Sequence, residues 1–410
     1  MNNSVKFTVY SLQFTEGCRQ RLGGKVARCL LLAAVLSVLF VPRGGFAQGQ
    51  EADTVVYDDD FVIASIIVAD PGDILYSRVG HVGLHMQCPE HNLDYVFSYE
   101  SESVRHKVPA FLAGKLKMGM FAIPTQDYLS QYKQEGRGVR EYRLNLPIDI
   151  KRELWRVLDN HMMEGANLPY DYITHGCAHS ALMMLKEALD TIPIVYGEWP
   201  ERFHRLNRRE LTARVMADNA PWTWCFLNLI GNGSINAECP LEDKLIMPLD
   251  LIEVLQQATV QGRPLLDSEP HQLSAGAPIQ EKGFLSPLAV SLILLLLTVG
   301  CLLLRKPWMD YVLLALQTLL GLVTVYLVCF STLCCTEWSW LIVPFNPLPL
   351  IAWKWRRHWA LPYAIVLVLW IGFILLWPHS LTDWPYIVLT IALIVSYLNI
   401  ILSNKRKKTI

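Results

Sequence analysis

Charge is scarce in this 410-residue chain: 18% of its residues are Asp, Glu, Lys or Arg, and they leave a formal net charge of -1. No basic stripe with interleaved aromatics occurs, so nothing in the chain calls for nucleic acid as a partner. Its 10 cysteines and 11 histidines never fall at a zinc-ligand spacing, and neither a metal nor a cofactor is expected. Long apolar runs are missing between Gln48 and about Gly283, where charges are spread throughout. After Gly283 they dominate. A chain that is 52% hydrophobic overall is too apolar for an ordinary soluble protein, and membrane segments are expected.

Three regions follow from that contrast. Residues 1–47 carry Lys6, Arg19, Arg21, Lys25 and Arg28, then the apolar run Leu30 to Val41, then Gly45-Phe46-Ala47. This order reads as a secretory signal peptide cut after Ala47, with an uncleaved anchor as the alternative. Residues 48–283 form an exported domain, whose last stretch, Gly262 to Gly283, reads as a linker. Residues 284–410 supply about five spans, near Leu285–Leu304, Met309–Phe330, Trp338–Trp353, Trp359–Trp377 and Trp384–Leu402. The third is interrupted by Pro344, Pro347 and Pro349, so FNPLP is expected as a half-buried feature near the active face. With five spans, Arg305 and Lys306, Lys354 with Arg356 and Arg357, and the tail Lys405 to Lys408 share one side. The positive-inside rule makes that side cytoplasmic and leaves the exported domain outside.

The exported domain is organised around PYDYITHGCAHSALMMLKEAL. Cys177 follows a turn-prone His175-Gly176 pair and opens a run that sets Ala181, Leu182, Leu185, Ala188 and Leu189 on one helical face. A thiol at a helix N-terminus is biased toward the thiolate, its nucleophilic form. Upstream, PGDILYSRVGHVGLHM reads as a turn followed by two short strand-like runs, in the second of which Val82 and Leu84 alternate with His81, Gly83 and His85. Here a strand end can present His81 to the sulfur as its general base. The plainer reading makes His81 and His85 polar residues on an open strand face. DYVFSYESES reads as a third strand, and Lys151 to Met163 as a helix.

Taken together, GDILYSRVGHVGLHM and the later GCAHS resemble the circularly permuted papain-like fold of the NlpC-type superfamily, in which the His strand precedes the Cys helix. The segments FLAGKLKMGMFAIPTQDYLSQYKQEGRGVREYRLNL and NLPYDYITHGCA are similar to the periplasmic domain of the Lnb lipoprotein N-acyltransferases. The resemblance implies an α+β, permuted papain-like domain in the periplasm, followed by an all-α bundle in the bacterial inner membrane. It also implies an enzyme that takes an acyl chain from a membrane phospholipid through a Cys177 thioester and gives it to the amine of diacylated lipoproteins. The residue orienting His81 is expected on the third strand, with Tyr95, Ser98 and Glu100 as candidates, and His179 is a further catalytic candidate. Substrate-binding candidates are Tyr170, Tyr172, His175, Arg78, Lys115 and Arg140. Many members carry Asn before the Cys, where this chain has Gly176.

Several features stay open on sequence alone. Arg202, Arg205, Arg208 and Arg209 form either a solvated helical face or a patch for anionic headgroups. Cys225 and Cys239 can pair across Gly231-Asn232-Gly233. Two other functions compete: a membrane-anchored hydrolase of the same superfamily acting on peptidoglycan or lipid, and a non-catalytic receptor. Five spans argue against the first; the presence of both His81 and Cys177 argues against the second.

Overall fold

The computed structural model describes residues 61–73, 77–101, 107–165, 168–173, 175–277, 283, 285–377 and 381–406. The expected presequence lies outside them, as do residues 74–76 of the first strand-like run. A seven-stranded antiparallel sheet fills the N-terminal half, with order β10-β5-β1-β2-β3-β4-β6. Its strands are β1 (Ile63–Ala69), β2 (His81–Cys88), β3 (Leu93–Ser101), β4 (Lys117–Pro124), β5 (Val139–Arg143), β6 (Leu168–Pro169) and β10 (His271–Ser274). The apolar, β-branched run of β1 pairs β5 on one side and β2 on the other, and is covered on both faces. One face presents Val82, Leu84, Phe97 and Tyr99 to helices α3 (Ile148–Glu164) and α4 (Cys177–Leu189). The other presents Ile67, Ala69 and Val96 to Tyr128 and Tyr132 of α2 (Thr125–Gln134). Period-two alternation along β2 therefore sends Val82 and Leu84 to the helix pair and His81 and His85 to the α2 side.

Two expectations are corrected here. The stretch 262–283 is not a bare linker: β9 (Arg263–Pro264) pairs β8 (Thr259–Val260), beside β7 (Ile194–Val195), and β10 adds an edge to β5. Leu265 and Leu266 are buried, which anchors the stretch. His85 does not face solvent: its Nδ1 lies 2.6 Å from Glu141 and its Nε2 2.7 Å from Asp94. Both carboxylates hold it in the imidazolium form; burial disfavours that form, and the hydrogen bonds to Glu141 and Asp94 outweigh it.

Among the described residues the C-terminal part has four helices long and apolar enough to cross a membrane, where five were expected. With the short helices between, α1 (Val108–Leu112), α5 (Glu201–Arg205), α6 (Arg208–Met216), α7 (Pro221–Ile230) and α8 (Pro248–Leu255), they are α9 (Pro287–Leu304), α10 (Trp308–Phe330), α12 (Arg356–Leu376) and α13 (Trp384–Arg406). The expected third span is a chain of turns with one short α-helix, α11 (Leu348–Ile351), and 3-10 turns at Trp340–Ile342 and Trp353–Trp355. Pro344, Pro347 and Pro349 lack the N–H that a helix needs. The carbonyls this frees are met from neighbouring helices: Gln317 donates to Pro344 O at 2.7 Å, Tyr363 to Val343 O at 2.7 Å and Trp370 to Trp340 O at 2.8 Å. Such irregular backbone is tolerated at membrane depth when protein surrounds it. FNPLP is half-buried: Asn346 packs against Gly321 and Tyr363, Phe345 against Tyr386, and Leu348 is exposed.

Hydrogen bonds identify the two ends of the bundle. Asn399 near the end of α13 donates to Lys306 O and to Asp310 at the start of α10. At the opposite end Ser331 donates to Leu112 O, and Tyr386 at the start of α13 donates to Cys225 O. Residues 331–355 therefore join one end to the other without forming a long helix. Arg305, Lys306, Lys354 and Arg356 still share the end away from the sheet, as the charge distribution required.

Candidate active site

The loop before Cys177 is shaped by its own residues. Asp171 accepts from Ile173 N–H through its side chain at 2.8 Å and from His175 N–H through its carbonyl at 2.9 Å. This is the turn that an Asp favours by capping the backbone two residues on. Gly176 then stands as N-cap without a side-chain cap. A Cβ on Gly176 would meet Tyr172 O at 2.6 Å, so the loop in this shape has no room for a side chain at this position. Cys177 is the first residue of α4, among the unpaired N–H groups of that helix end.

His81, first residue of β2, reaches the sulfur from the sheet side. Its Nε2 lies 2.6 Å from Ser98 Oγ and 3.3 Å from Glu100 Oε1, and Ser98 donates to Glu100 at 2.9 Å. A proton on Nε2 therefore points into Ser98 and Glu100, which leaves Nδ1 for the sulfur. Burial pushes the Cys177 thiol up, but the charge and hydrogen bond of His81 and the backbone N–H of Val82 outweigh it, and the thiol falls below its ordinary value. Burial likewise disfavours imidazolium at His81. Tyr132, Glu100 and Cys177, each anionic when ionised, outweigh that and raise His81 well above the usual range. Glu100 is lowered although burial works the other way, because His81, Ser98 and Arg137 stabilise its charge. All three shifts favour a thiolate beside an imidazolium, the activated form of a Cys-His pair.

The candidates from sequence separate at this point. Ser98 and Glu100 reach His81, whereas Tyr95 projects to the opposite face and packs on the α3–α4 core. His179 lies two positions along α4, about 200° around the helix from Cys177. Its Nδ1 is buried without a partner among the described residues, and burial foremost lowers its pKa, so it stays neutral. Tyr170 packs both on the core beneath Cys177 and on a cluster with Leu327 and Leu333 of the membrane region. The Tyr172 hydroxyl instead approaches Gly231, and the ring packs with Cys334 and Cys335. His175 is half-buried in the loop. Lys115 is exposed beside Gly114, where the membrane region touches the domain. Arg140 is bound to Asp70 at 2.7 Å on β5, away from the sulfur. Arg78 lies in the turn just before His81.

Arg137 was not foreseen. It is buried, donates to Asp70 O at 2.6 Å and to Glu135 at 2.9 Å, lies 4.5 Å from the Tyr132 ring centroid, and helps keep Glu100 ionised. No pattern marks it, because its partners come from separate strands and turns. The other arginine cluster is a solvated face only at Arg205, which is exposed with its partner Glu201, and it is not an open patch. Arg202 pairs with Asp250 and Glu253, Arg205 with Glu201, Arg208 donates to Ser234 O, and Arg209 is buried against Asn228, Gly231 O and Asn236. Cys225 and Cys239 do not pair; all eight cysteines among the described residues are free thiols. No group of three or more metal-ligating side chains occurs among the described residues.

The domain rests directly on the membrane region. Trp222 of α7 donates to Leu285 O at 2.8 Å, Leu229 joins the core of the long helices, and Thr332 N–H bonds Ala113 O at 3.2 Å. Gly114, at φ +69°, would bring a Cβ within 2.2 Å of Leu333 N, so only glycine permits this approach. No curated protein and no solved structure matches the chain. Two family models do: the Lnb N-terminal periplasmic domain over residues 51–200 and the Lnb transmembrane domain over residues 279–408. With a periplasmic domain that holds the Cys177–His81 pair and a membrane domain that carries it, the chain belongs to the Lnb family.

Proposed function

We propose that this protein is a cysteine-dependent lipoprotein N-acyltransferase of the bacterial inner membrane, with its catalytic domain in the periplasm and a permuted papain-like arrangement of the Cys helix and His strand. Cys177 Sγ attacks an ester carbonyl of a membrane phospholipid. The carbon–oxygen bond to glycerol breaks, and the leaving oxygen takes the proton held by His81. The products are a thioester and a lysophospholipid. The free α-amine of a diacylglyceryl-cysteine lipoprotein then attacks the thioester and gives a proton to His81, and the thiolate departs. Dividing the transfer this way replaces one hard step with two easier ones.

The observation that carries this reading is the position of Tyr170, packed on the core beneath Cys177 and on Leu327 and Leu333 of the membrane helices at once. A nucleophile fixed beside the bilayer suits two substrates that are both anchored in it, because the reacting groups meet without a three-dimensional search. A hydrolase of peptidoglycan needs no such anchoring. The test is mass spectrometry of lipoprotein N-termini in a host lacking its own N-acyltransferase. Wild-type protein should add one fatty acyl chain to the N-terminal amine, and Cys177→Ser should add none. An unchanged N-terminus with folded, membrane-inserted wild type overturns the proposal.

A further inference from the structure

Four arginines are buried among the described residues, and three of them hold hydrogen-bond partners, although Arg137 Nη2 and Arg208 Nε have none. Arg137, Arg208 and Arg209 each donate to carbonyls or side chains within hydrogen-bond distance. Arg78 is the exception. It is 8% exposed, and its Nε and Nη1 are buried with no hydrogen-bond partner among the described residues. A guanidinium is always charged. Burying one without an anion costs several kcal/mol by desolvation, so such groups are normally paired. The fold therefore keeps a charge whose natural counter-ion is not supplied by the described residues.

The place of Arg78 narrows what that counter-ion is. It lies in the turn 77–79, three residues before His81, so its Cα is at most about 11 Å from that of His81. The next residue, Val79, packs on the cluster of Met216, Ala220 and Trp224, on which Leu227 also packs. Trp224 and Leu227 belong to α7, the helix that docks on the membrane region through Trp222 and Leu229. Arg78 thus lies within three residues of His81 and next to a residue packed on the helix that docks on the membrane region. A phospholipid carries its ester carbonyls and its phosphate on one three-carbon glycerol unit. An anion fixed near His81 would bring such a carbonyl toward Cys177.

We propose that Arg78 binds the phosphodiester of the acyl donor by charge-assisted, forked hydrogen bonds, and so selects phosphate-bearing lipids over neutral ones. This rests on the acyl-transfer reading above. The experiment uses the full chain in nanodiscs and follows the acyl mass added to Cys177 at increasing phosphatidylglycerol, and separately at increasing diacylglycerol with the same chains. Hydrogen bonds to a charged group contribute ~1.5–3 kcal/mol, so Arg78→Gln should lower the preference for phosphatidylglycerol over diacylglycerol at least tenfold, mainly through the half-saturating concentration. Arg78→Lys, which keeps the charge without the fork, should fall between; it also serves if Arg78→Gln fails to fold. Equal losses with both lipids would mean a purely structural arginine and overturn the proposal, as would an unchanged preference.

Binding without chemistry separates this claim from the one it rests on. Calorimetric titration of short-chain phosphatidylglycerol into the Cys177→Ala protein should give an affinity that Arg78→Gln weakens at least tenfold, even if wild type forms no acyl adduct. Inorganic phosphate should bind at least a hundredfold more weakly than the lipid. Equal affinity for both would assign the site to a free anion and overturn the headgroup role.

Discussion

Ser98 Oγ stands 2.6 Å from His81 Nε2 and donates a hydrogen bond to Glu100 at 2.9 Å, so the imidazole is oriented by a hydroxyl and not only by a carboxylate. Both partners have separable effects. Ser98→Ala should lower kcat/KM for acyl transfer by ~10–100-fold, the range of one hydrogen bond to a charged group, and leave the pH profile nearly in place. Glu100→Gln removes the anion that helps hold the proton on His81. Imidazolium then loses its proton more readily, and the alkaline limb of the profile should move to lower pH by about one unit, equivalent to ~1.4 kcal/mol. The check is the pH dependence of Cys177 alkylation and of turnover. An alkaline limb moving upward in Glu100→Gln would assign the shift of His81 to another group.

The two histidines near the sulfur should rank clearly. His81→Ala removes the imidazole that bonds Cys177 and should reduce turnover by at least about a thousandfold, in keeping with the loss of a general base that also activates the nucleophile. His179→Ala removes a neutral ring on another side of the helix and should cost less than about tenfold. A single-site series ranking His179 above His81 would reverse these roles.

Much of this site was legible because a helix start and a strand alternation are local signals. Cys177 follows Gly176 and opens an apolar 3.6-residue pattern, and His81 opens a two-residue one. Parity along the third strand also held the choice among Tyr95, Ser98 and Glu100: the last two share a face and Tyr95 does not. What could not be read was set by distant partners. Arg208 and Arg209 resemble a solvated charge run, yet carbonyls and amides 19 to 27 residues away bury them. Edge strand β10 has no alternation of its own and is a strand because β5 offers it a free edge. The prolines of the expected third span were visible, but not that Gln317, Tyr363 and Trp370 would meet the freed carbonyls.

His85 gives a stability prediction with a defined sign. Its folded pKa is raised above the unfolded value, against burial, by Glu141 and Asp94. The stabilisation is therefore complete below the unfolded pKa of about 6.5 and is lost as pH rises through the higher folded value. Glu141 and Asp94 are lowered, so their share is lost on acidification below the ordinary carboxylate range. His85→Leu leaves two carboxylates facing each other and should cost ~3 kcal/mol, as for removing one partner of a buried pair. Thermal melts of the two proteins should differ most near pH 5–6 and converge toward alkaline pH. A difference growing with pH would mean that His85 is neutral in the fold.

Gly176 is a test of the loop. A side chain at this position would place a Cβ 2.6 Å from Tyr172 O, which requires the 171–176 turn to move. Gly176→Asn and Gly176→Ala should both slow acyl-adduct formation at Cys177, by at least about tenfold if a shift near 1 Å misplaces the sulfur. Intact-protein mass spectrometry over time measures it. A faster Gly176→Asn protein would show that the amide supplies something the present loop lacks.

The last prediction concerns the broken segment, residues 331–355. It starts beside Leu112 and Ala113 of the catalytic domain and ends where Trp353 meets Tyr311 near the start of α10, at the opposite end of the bundle. Four long helices with this crossing should give the topology of five spans. A reporter active only outside the cytoplasm should be on when fused near Glu337 or Asp383 and off after Lys306, Arg357 or Lys408. The crossing itself depends on replacing helical hydrogen bonds with side-chain donors. Removing Gln317 with Leu leaves Pro344 O without that donor and Tyr397 without its acceptor, and an unmet polar group in hydrocarbon costs ~1–3 kcal/mol. Gln317→Leu should therefore lower the thermal midpoint in detergent and expose the segment to protease, while the reporter pattern stays the same. Reporters at Glu337 and Arg357 reading the same side would mean that the segment returns to the face it left, and the direction of α12 and α13 would have to be reversed.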